Sequence, residues 1–363
     1  MAEELEEQIW QALKKVHFPG MKRDVVSFGF VRGVTVDGGV ARVVMEVATH
    51  NPEAAKKIRG AVEAEVGQLP GVTAVDLQLR VNAPPTPQQR TQQATARDPK
   101  LIPEVRHVVA VASGKGGVGK STVAANLAVS LARLGHSTGL LDADIYGPSV
   151  PTMFGIEDKP RVIDNRLQTL ERHGIQVMSL GFLVDTDTPV IWRGPMVMRA
   201  LEQMLGDVDW GPLDYLVVDM PPGTGDAQLT LSQKVPLSGA VVVTTPQDVA
   251  LIDARKGFHM FRKVNVPVVG IVENMSTFVC PHCGEATEVF SSGGGERTAQ
   301  ELGTRLLGKI PLDAAIVLGG DEGEPIVVSQ PEGPHAKAFR EIAEAVVDEV
   351  AAGESERPSL SIV

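Results

Sequence analysis

Cysteine is nearly absent, with two residues in 363. So few thiols cannot build a disulfide framework. This fits a reducing compartment, and the expected location is cytoplasmic. Aromatic residues make up only 4%, too few for the stacking platforms that bind single-stranded nucleic acid. Basic residues are outnumbered, 34 Lys and Arg against 45 Asp and Glu, for a net charge of −11. That balance argues against DNA or an anionic membrane as the main partner. No apolar run approaches the ~20 residues needed to cross a bilayer. The opening segment, with Glu3, Glu4, Glu6 and Glu7, reads as the opposite of a secretory or transit leader. Internal repeats are absent as well. What is present is a hydrophobic content of 43%, enough for a sizeable core, in a chain long enough for two or more domains.

Residues 1–82 read as a small unit of order α-β-β-α-β. Leu5 to Val16 is amphipathic. Val25 to Val36 and Val40 to Ala48 read as strands joined by a hairpin turn at Asp37-Gly38-Gly39. Pro52 to Gln68 reads as a helix and Val72 to Val81 as a strand. Asp24 and Glu46 stand out as carboxylates, with a solvated surface role expected. Residues 83–104, rich in Pro, Gln and Thr, read as a semi-extended linker. Residues 105–352 alternate strands, near 107, 138, 175, 215, 240, 268 and 306, with helices. The alternation predicts an α/β domain with a mostly parallel sheet covered by helices on both faces. His335 to Val350 reads as its closing helix, and 353–363 as a polar tail. A helix over Val197 to Met204, with Met196, Met198 and Met204, is expected to fill core gaps.

Gly114-Lys115-Gly116-Gly117-Val118-Gly119-Lys120-Ser121 fits the pattern G-x-x-x-x-G-K-[ST]. The apolar run His107 to Ala112 precedes it as a strand, and Ser121 to Leu134 follows as a helix, which is the context the motif requires. Glycines let the backbone turn N–H groups toward phosphate oxygens, and the helix N-terminus adds partial positive charge. The loop with Thr122 is therefore the expected nucleotide site. Lys120 is placed on the β- and γ-phosphates and the Ser121 hydroxyl on Mg²⁺. Two further strands end in carboxylates, one at Asp142-Ala143-Asp144 and one at Asp219. Such residues point into the crevice where open α/β sheets bind ligands, so Asp142 and Asp219 join Ser121 on the expected Mg²⁺ side. Met220-Pro221-Pro222-Gly223-Thr224-Gly225-Asp226 cannot continue a strand and lies where a γ-phosphate-sensing switch would lie.

Both cysteines sit in Cys280-Pro281-His282-Cys283-Gly284. Two thiolates at this spacing can face one metal from a tight turn. Three chemistries compete: a zinc or iron–sulfur site, a redox dithiol, and a reduced pair without function. A thioredoxin-like pair opens a helix, whereas this one lies in a loop or short hairpin. Zinc or a four-iron cluster wants four protein ligands and one chain offers two thiolates. A symmetric homodimer would supply four.

Lys115 to Gly119, followed by Lys120 and Ser121, resembles the deviant phosphate loop of the dimeric ATPases that include MinD, ParA and the nitrogenase iron protein. The segments 140–149 (LLDADIYGPS), 191–196 (IWRGPM), 210–226 (WGPLDYLVVDMPPGTGD), Asn274-Met275-Ser276 and Cys280-Pro281-His282-Cys283 are similar, in order and spacing, to the Mrp/ApbC iron–sulfur carrier family. The first unit resembles the iron–sulfur assembly domain fused to some bacterial members. It departs from that domain in having Thr49-His50-Asn51-Pro52 where a cysteine is common, so its expected use is partner docking.

The resemblance implies ATP as the nucleotide, Lys115 acting in trans on the γ-phosphate of a second subunit, and Asp144 orienting the attacking water. It also implies Asn274, with Asp313, reading adenine, and a 4Fe–4S cluster on Cys280 and Cys283 bridging a homodimer. The expected function is an ATPase that carries clusters from cluster-assembly scaffolds to apo iron–sulfur proteins, with no nucleic-acid or membrane partner. The alternatives are a MinD/ParA-like positioning ATPase and a zinc-stapled dimeric regulatory ATPase. The acidic closing helix counts against the first of these.

Overall fold

The structure is a computed structural model that describes residues 2–17, 24–27, 29–48, 52–82, 102–145, 147–183 and 194–355. It divides into two compact units, Met1–Gln92 and Gln93–Val363.

The first unit runs helix Ala2–Leu13, strand β1 (Val31–Asp37), β2 (Val40–Ala48), helix Pro52–Gly67 and β3 (Ala74–Asn82). β1 pairs antiparallel with β2, and β2 pairs parallel with β3. The hairpin turn falls on Gly38 and Gly39, whose φ of 56° and 82° suit a two-residue loop. Ile9 and Leu13 pack with Val43, Met45, Ile58 and Val62 in a core of its own.

The strand expected from Val25 begins only at Val31. Asp24 is the reason. Its carboxylate accepts the N–H groups of Val26 (3.0 Å) and Ser27 (2.7 Å) and the Ser27 hydroxyl (2.7 Å), closing a turn. Glu46 pairs with Arg32 at 3.1 Å on the sheet surface, a contact worth at most about 1 kcal/mol. Both carboxylates are accounted for by local structure. Thr49, His50 and Asn51 lie outside the described residues.

The second unit is built on an eight-stranded sheet of order β16-β13-β12-β4-β11-β5-β9-β8. Its strands are β4 (Val105–Ser113), β5 (Thr138–Asp142), β8 (Leu170–Arg172), β9 (Ile175–Ser179), β11 (Leu213–Asp219), β12 (Gly239–Thr244), β13 (Val268–Glu273) and β16 (Leu306–Lys309). All neighbours are parallel except β8 and β9. Two short ribbons complete the strands. One joins β6 (Val162–Ile163), β7 (Arg166–Gln168) and β10 (Val208–Asp209), and the other joins β14 (Phe278–Val279) and β15 (Ala286–Thr287).

Helices flank the large sheet, so β4, β11 and β12 are buried almost throughout and read as continuous apolar runs. From β4 the chain steps to one side for β5, fills the gap with β11, then crosses to the other side for β12. This reversal puts a ligand crevice at the C-terminal end of β4. The core includes Ile102, upstream of β4 and 5% exposed.

The helix expected at Val197 extends over Gly194–Gly206. Val197 and Met204 are buried, but Met196 is 48% exposed, so the methionines do not form one core stripe. Ile191, Trp192, Arg193 and Tyr146 lie outside the described residues. Among the described residues, no helix is long and apolar enough to cross a membrane.

Candidate nucleotide site and cysteine hairpin

The phosphate-loop motif sits in that crevice. β4 ends at Ser113 and the helix Lys120–Arg133 begins within the motif. A Cβ on Gly114 would lie 2.1 Å from the carbonyl carbon of Asp253, so only glycine lets the loop seat against that backbone. Gly117 and Gly119 both have φ of 79°, the left-handed region that glycine enters freely. No side chain caps the helix at Gly119, which leaves its first N–H groups for an anion.

Lys120 is 6% exposed, and its Nζ lies 2.5 Å from Asp219 Oδ1, 3.6 Å from Asp144 Oδ2 and 3.2 Å from Ser121 Oγ. Asp219 is fully buried, and burial pushes its carboxyl up while Lys120 and Ser121 hold it down. A cavity of about 380 Å³ opens over the loop, within the range of small-molecule sites. Gly116, Gly117, Gly119, Lys120, Ser121 and Thr122 form its floor, with Asp144 and Pro222 from the two strand-end loops. Lys115 is half-buried and Val118 is buried beneath the loop.

This arrangement fits a nucleotide polyphosphate. Uncapped N–H groups, a buried ammonium and a hydroxyl converge on one concave space. Among the described residues, no cluster of three or more His, Cys, Asp or Glu could hold a metal by itself. Mg²⁺ is compatible with that, because it takes one or two protein groups and completes its shell with phosphate oxygens and water. Ser121 and Asp219 are the groups in place for it.

Asp142 stands apart from this pair. Like Asp219, it is buried and does not line the cavity. Its Oδ1 accepts the Asp144 N–H (3.1 Å), and its Oδ2 accepts the Val150 N–H (3.3 Å) and the Ser179 hydroxyl (2.9 Å). These bonds pin both ends of the loop that carries Asp144. Burial, then the nearby Asp219 carboxylate, pushes its pKa up to about 7. These contacts make Asp142 an anchor of the Asp144 loop.

Asn274 is buried at the end of β13 and donates Nδ2–H to the Val118 carbonyl at 2.9 Å. Asp313 caps the helix Ala314–Asp321, accepting the Ala315 N–H at 2.8 Å, and its other oxygen lies 2.8 Å from His335 Nε2. The Ala315 N–H, with His335, holds the Asp313 carboxyl below the usual carboxylate range. Both side chains are therefore engaged within the chain. The helix that Asp313 starts brings Ile316, Val317, Gly320 and Asp321 to the cavity wall, which Met153 and Ser149 also line. Sequence reasoning missed these. The available signal was an Asp before Ala314-Ala315-Ile316-Val317, a helix start whose position beside the phosphate loop only the fold reveals.

Cys280 and Cys283 occupy the turn of the β14–β15 ribbon, so the pair lies in a hairpin and not at a helix start. Cys280 N–H donates to Glu285 O (3.0 Å), Gly284 N–H donates to Cys280 O (2.9 Å), and Gly284 has φ of 73°. The N–H groups of Cys283 and His282, then the Cys283 side chain, hold the Cys280 thiol below its ordinary value. Such bonds favour the thiolate that binds soft metals. Cys280 is half-buried and Cys283 is exposed. The hairpin base is tied to the wall of the nucleotide cavity. Leu312 N–H donates to Thr277 O (2.9 Å), and Phe278 bridges to Leu312, next to the helix cap Asp313.

Residues 104–347, from β4 through the cysteine hairpin, match the model of the NUBPL iron-transfer P-loop NTPases. The chain belongs to that family. Residues 6–77 match an iron–sulfur cluster assembly protein family. An iron–sulfur cluster carrier protein of Helicobacter pylori is 45% identical, over 93% of this chain and 91% of its own length. The mouse iron–sulfur cluster transfer protein NUBPL is 54% identical, over 72% of this chain and 83% of its own length. A solved nucleotide-binding protein of Archaeoglobus fulgidus in complex with ADP is 39% identical. It covers 69% of this chain and 96% of its own, with a TM-score of 0.58. As a NUBPL-family P-loop NTPase, the chain has its nucleotide cavity and its thiol pair in the one unit that matches the family model.

Proposed function

We propose that this protein is an ATP-dependent carrier of iron–sulfur clusters, acting as a cytoplasmic homodimer. The observation that carries the reading is the thiol hairpin itself. It presents two cysteines at the surface, one of them held toward thiolate, on a base bonded to the segment that runs into the nucleotide cavity. The names of the family and of its relatives support iron–sulfur cargo over a positioning ATPase.

In this mechanism the phosphate loop and the N-terminus of its helix hold the triphosphate. Lys120 leaves Asp219 and follows the β- and γ-phosphate charge. Ser121, with Asp219, would hold a Mg²⁺ ion, which would supply charge neutralisation on the phosphates. Asp144, positioned by Asp142, orients the attacking water. Lys115 of a second copy completes the charge at the γ-phosphate. Four thiolates, two from each copy, then enclose a 4Fe–4S cargo at the two-fold axis. Delivery to an apo-protein exchanges carrier thiolates for acceptor thiolates, without net redox change. The unit matched to the assembly family serves as a docking module for scaffolds or acceptors.

The test is transfer from anaerobically loaded protein to an apo-ferredoxin, with and without MgATP. Acceptor spectra should develop faster with MgATP, and Lys115→Ala should remove the acceleration. An acceptor that gains no cluster from loaded protein would refute the carrier role.

A further inference from the structure

Glu273 is the last residue of β13, is 1% exposed, and has no part in the mechanism above. It faces the N-terminus of the helix Gly294–Leu302, and its Oε2 accepts the Gly295 N–H at 2.5 Å. A Cβ on Gly295 would lie 2.9 Å from that oxygen and 3.0 Å from the Glu273 Cβ, so the close approach favours glycine. The Glu273 carbonyl accepts the Ile310 N–H at 2.9 Å.

The chain leaves the sheet at Glu273, runs out through Asn274 to the cysteine hairpin, and returns at Gly295 to the same side chain. The backbone is constrained on both limbs of this excursion. Met275 and Ser291 have φ of 55° and 82°, unusual for residues with side chains. Near the outward end, Asn274 holds Val118 of the phosphate loop, and Ser276 donates its N–H and hydroxyl to the Ile310 carbonyl. The return end is wedged, since a Cβ on Gly294 would lie 2.6 Å from Leu251 and 2.8 Å from the Pro246 carbonyl. One buried carboxylate therefore closes the base of the whole loop beside the residue that touches the phosphate loop.

We propose that Glu273 is a positioning residue that clamps both ends of the cysteine loop to the strand end contacting the phosphate loop, so that nucleotide occupancy sets the geometry of Cys280 and Cys283. The side chain suits the task because its length brings an acceptor oxygen to one of the free N–H groups at a helix N-terminus. Without it, a shift at Asn274 moves only the outward limb, and the hairpin no longer responds as a unit. This inference rests on the carrier reading for its purpose, not for its test.

The test measures N-ethylmaleimide alkylation of Cys280 and Cys283 on the full-length, metal-free protein, with and without a non-hydrolysable ATP analogue and Mg²⁺. In wild type the nucleotide should change the rate by about fivefold or more, the scale of an ordinary coupling between sites. Glu273→Ala and Glu273→Asp, which lose the acceptor or its reach, should bring the ratio to about one while nucleotide affinity stays within about threefold. Glu273→Gln, which keeps length and an acceptor oxygen, should restore most of the response.

A wild type with no response, a Glu273→Ala variant that keeps it, or parallel loss of nucleotide affinity would overturn the proposal. Where Glu273→Ala does not fold, equal responses from the Asp and Gln variants would overturn it too. A wild type that loads cluster but shows no nucleotide response removes only this inference. One that responds but holds no cluster removes only the carrier reading.

Discussion

Lys120 Nζ lies 2.5 Å from Asp219 Oδ1, with the ammonium 6% exposed and the carboxylate fully buried. Neither group can be removed alone without leaving its partner's charge in a dry site. Lys120→Met should abolish nucleotide binding and also destabilise the nucleotide-free protein by about 3–5 kcal/mol. Losing the ammonium removes the largest group opposing burial and drives the Asp219 pKa further up, so the penalty should grow as pH rises. Lys120→Met with Asp219→Asn should recover most of the stability but none of the binding. Urea denaturation of wild type and the two variants at two pH values checks this.

Asp142 gives a pH signature at the other strand end. Its folded pKa, pushed up to about 7, lies above the ordinary 3.8. The folded state therefore binds a proton that the unfolded state has released. The stabilising contribution is fully present below 3.8 and is lost as pH rises through about 7. Wild-type melting temperature, followed from pH 5.5 to 8 without nucleotide, should carry a downward component that Asp142→Asn removes. Equal slopes would contradict the assignment.

The two glycines at the start of the phosphate loop should behave differently. A Cβ on Gly114 meets the Asp253 backbone at 2.1 Å, whereas a Cβ on Gly116 meets nothing within 4 Å. Gly114→Ala should cost about 1–3 kcal/mol or more. Gly116→Ala should stay within about 0.5 kcal/mol of wild type. Thermal unfolding of both variants distinguishes a steric requirement from a general intolerance of the loop.

Cys280 is held toward thiolate chiefly by the backbone N–H groups of Cys283 and His282. Those donors survive Cys283→Ser. In that variant the pH dependence of Cys280 alkylation should keep its midpoint below the ordinary thiol value of 9.0. A midpoint at or above it would mean that the turn does not hold its N–H groups on the sulfur.

Local patterns carried much of this architecture into view. A strand, a glycine loop and a helix are contiguous in sequence, so the phosphate loop and the burial of β4 follow from spacing and periodicity. The thiol spacing likewise announces a tight turn. What spacing hid is nonlocal. Asp142 reads as one more strand-end carboxylate until Val150 and Ser179 are seen bonding to it. Ile316 and Val317 read as an ordinary helix until the sheet order carries that helix to the cavity. Asp24 misled in the opposite direction, because a run of valines outweighed a turn set by one carboxylate.

In the proposed dimer, two copies share one cluster across Cys280 and Cys283. Anaerobic reconstitution of wild type and Cys283→Ala, with iron, sulfide and zinc counted per dimer alongside a visible spectrum, tests it most directly. Wild type should hold close to four irons and four sulfides per dimer, and the variant neither. Zinc alone, or iron that survives the substitution, would contradict it.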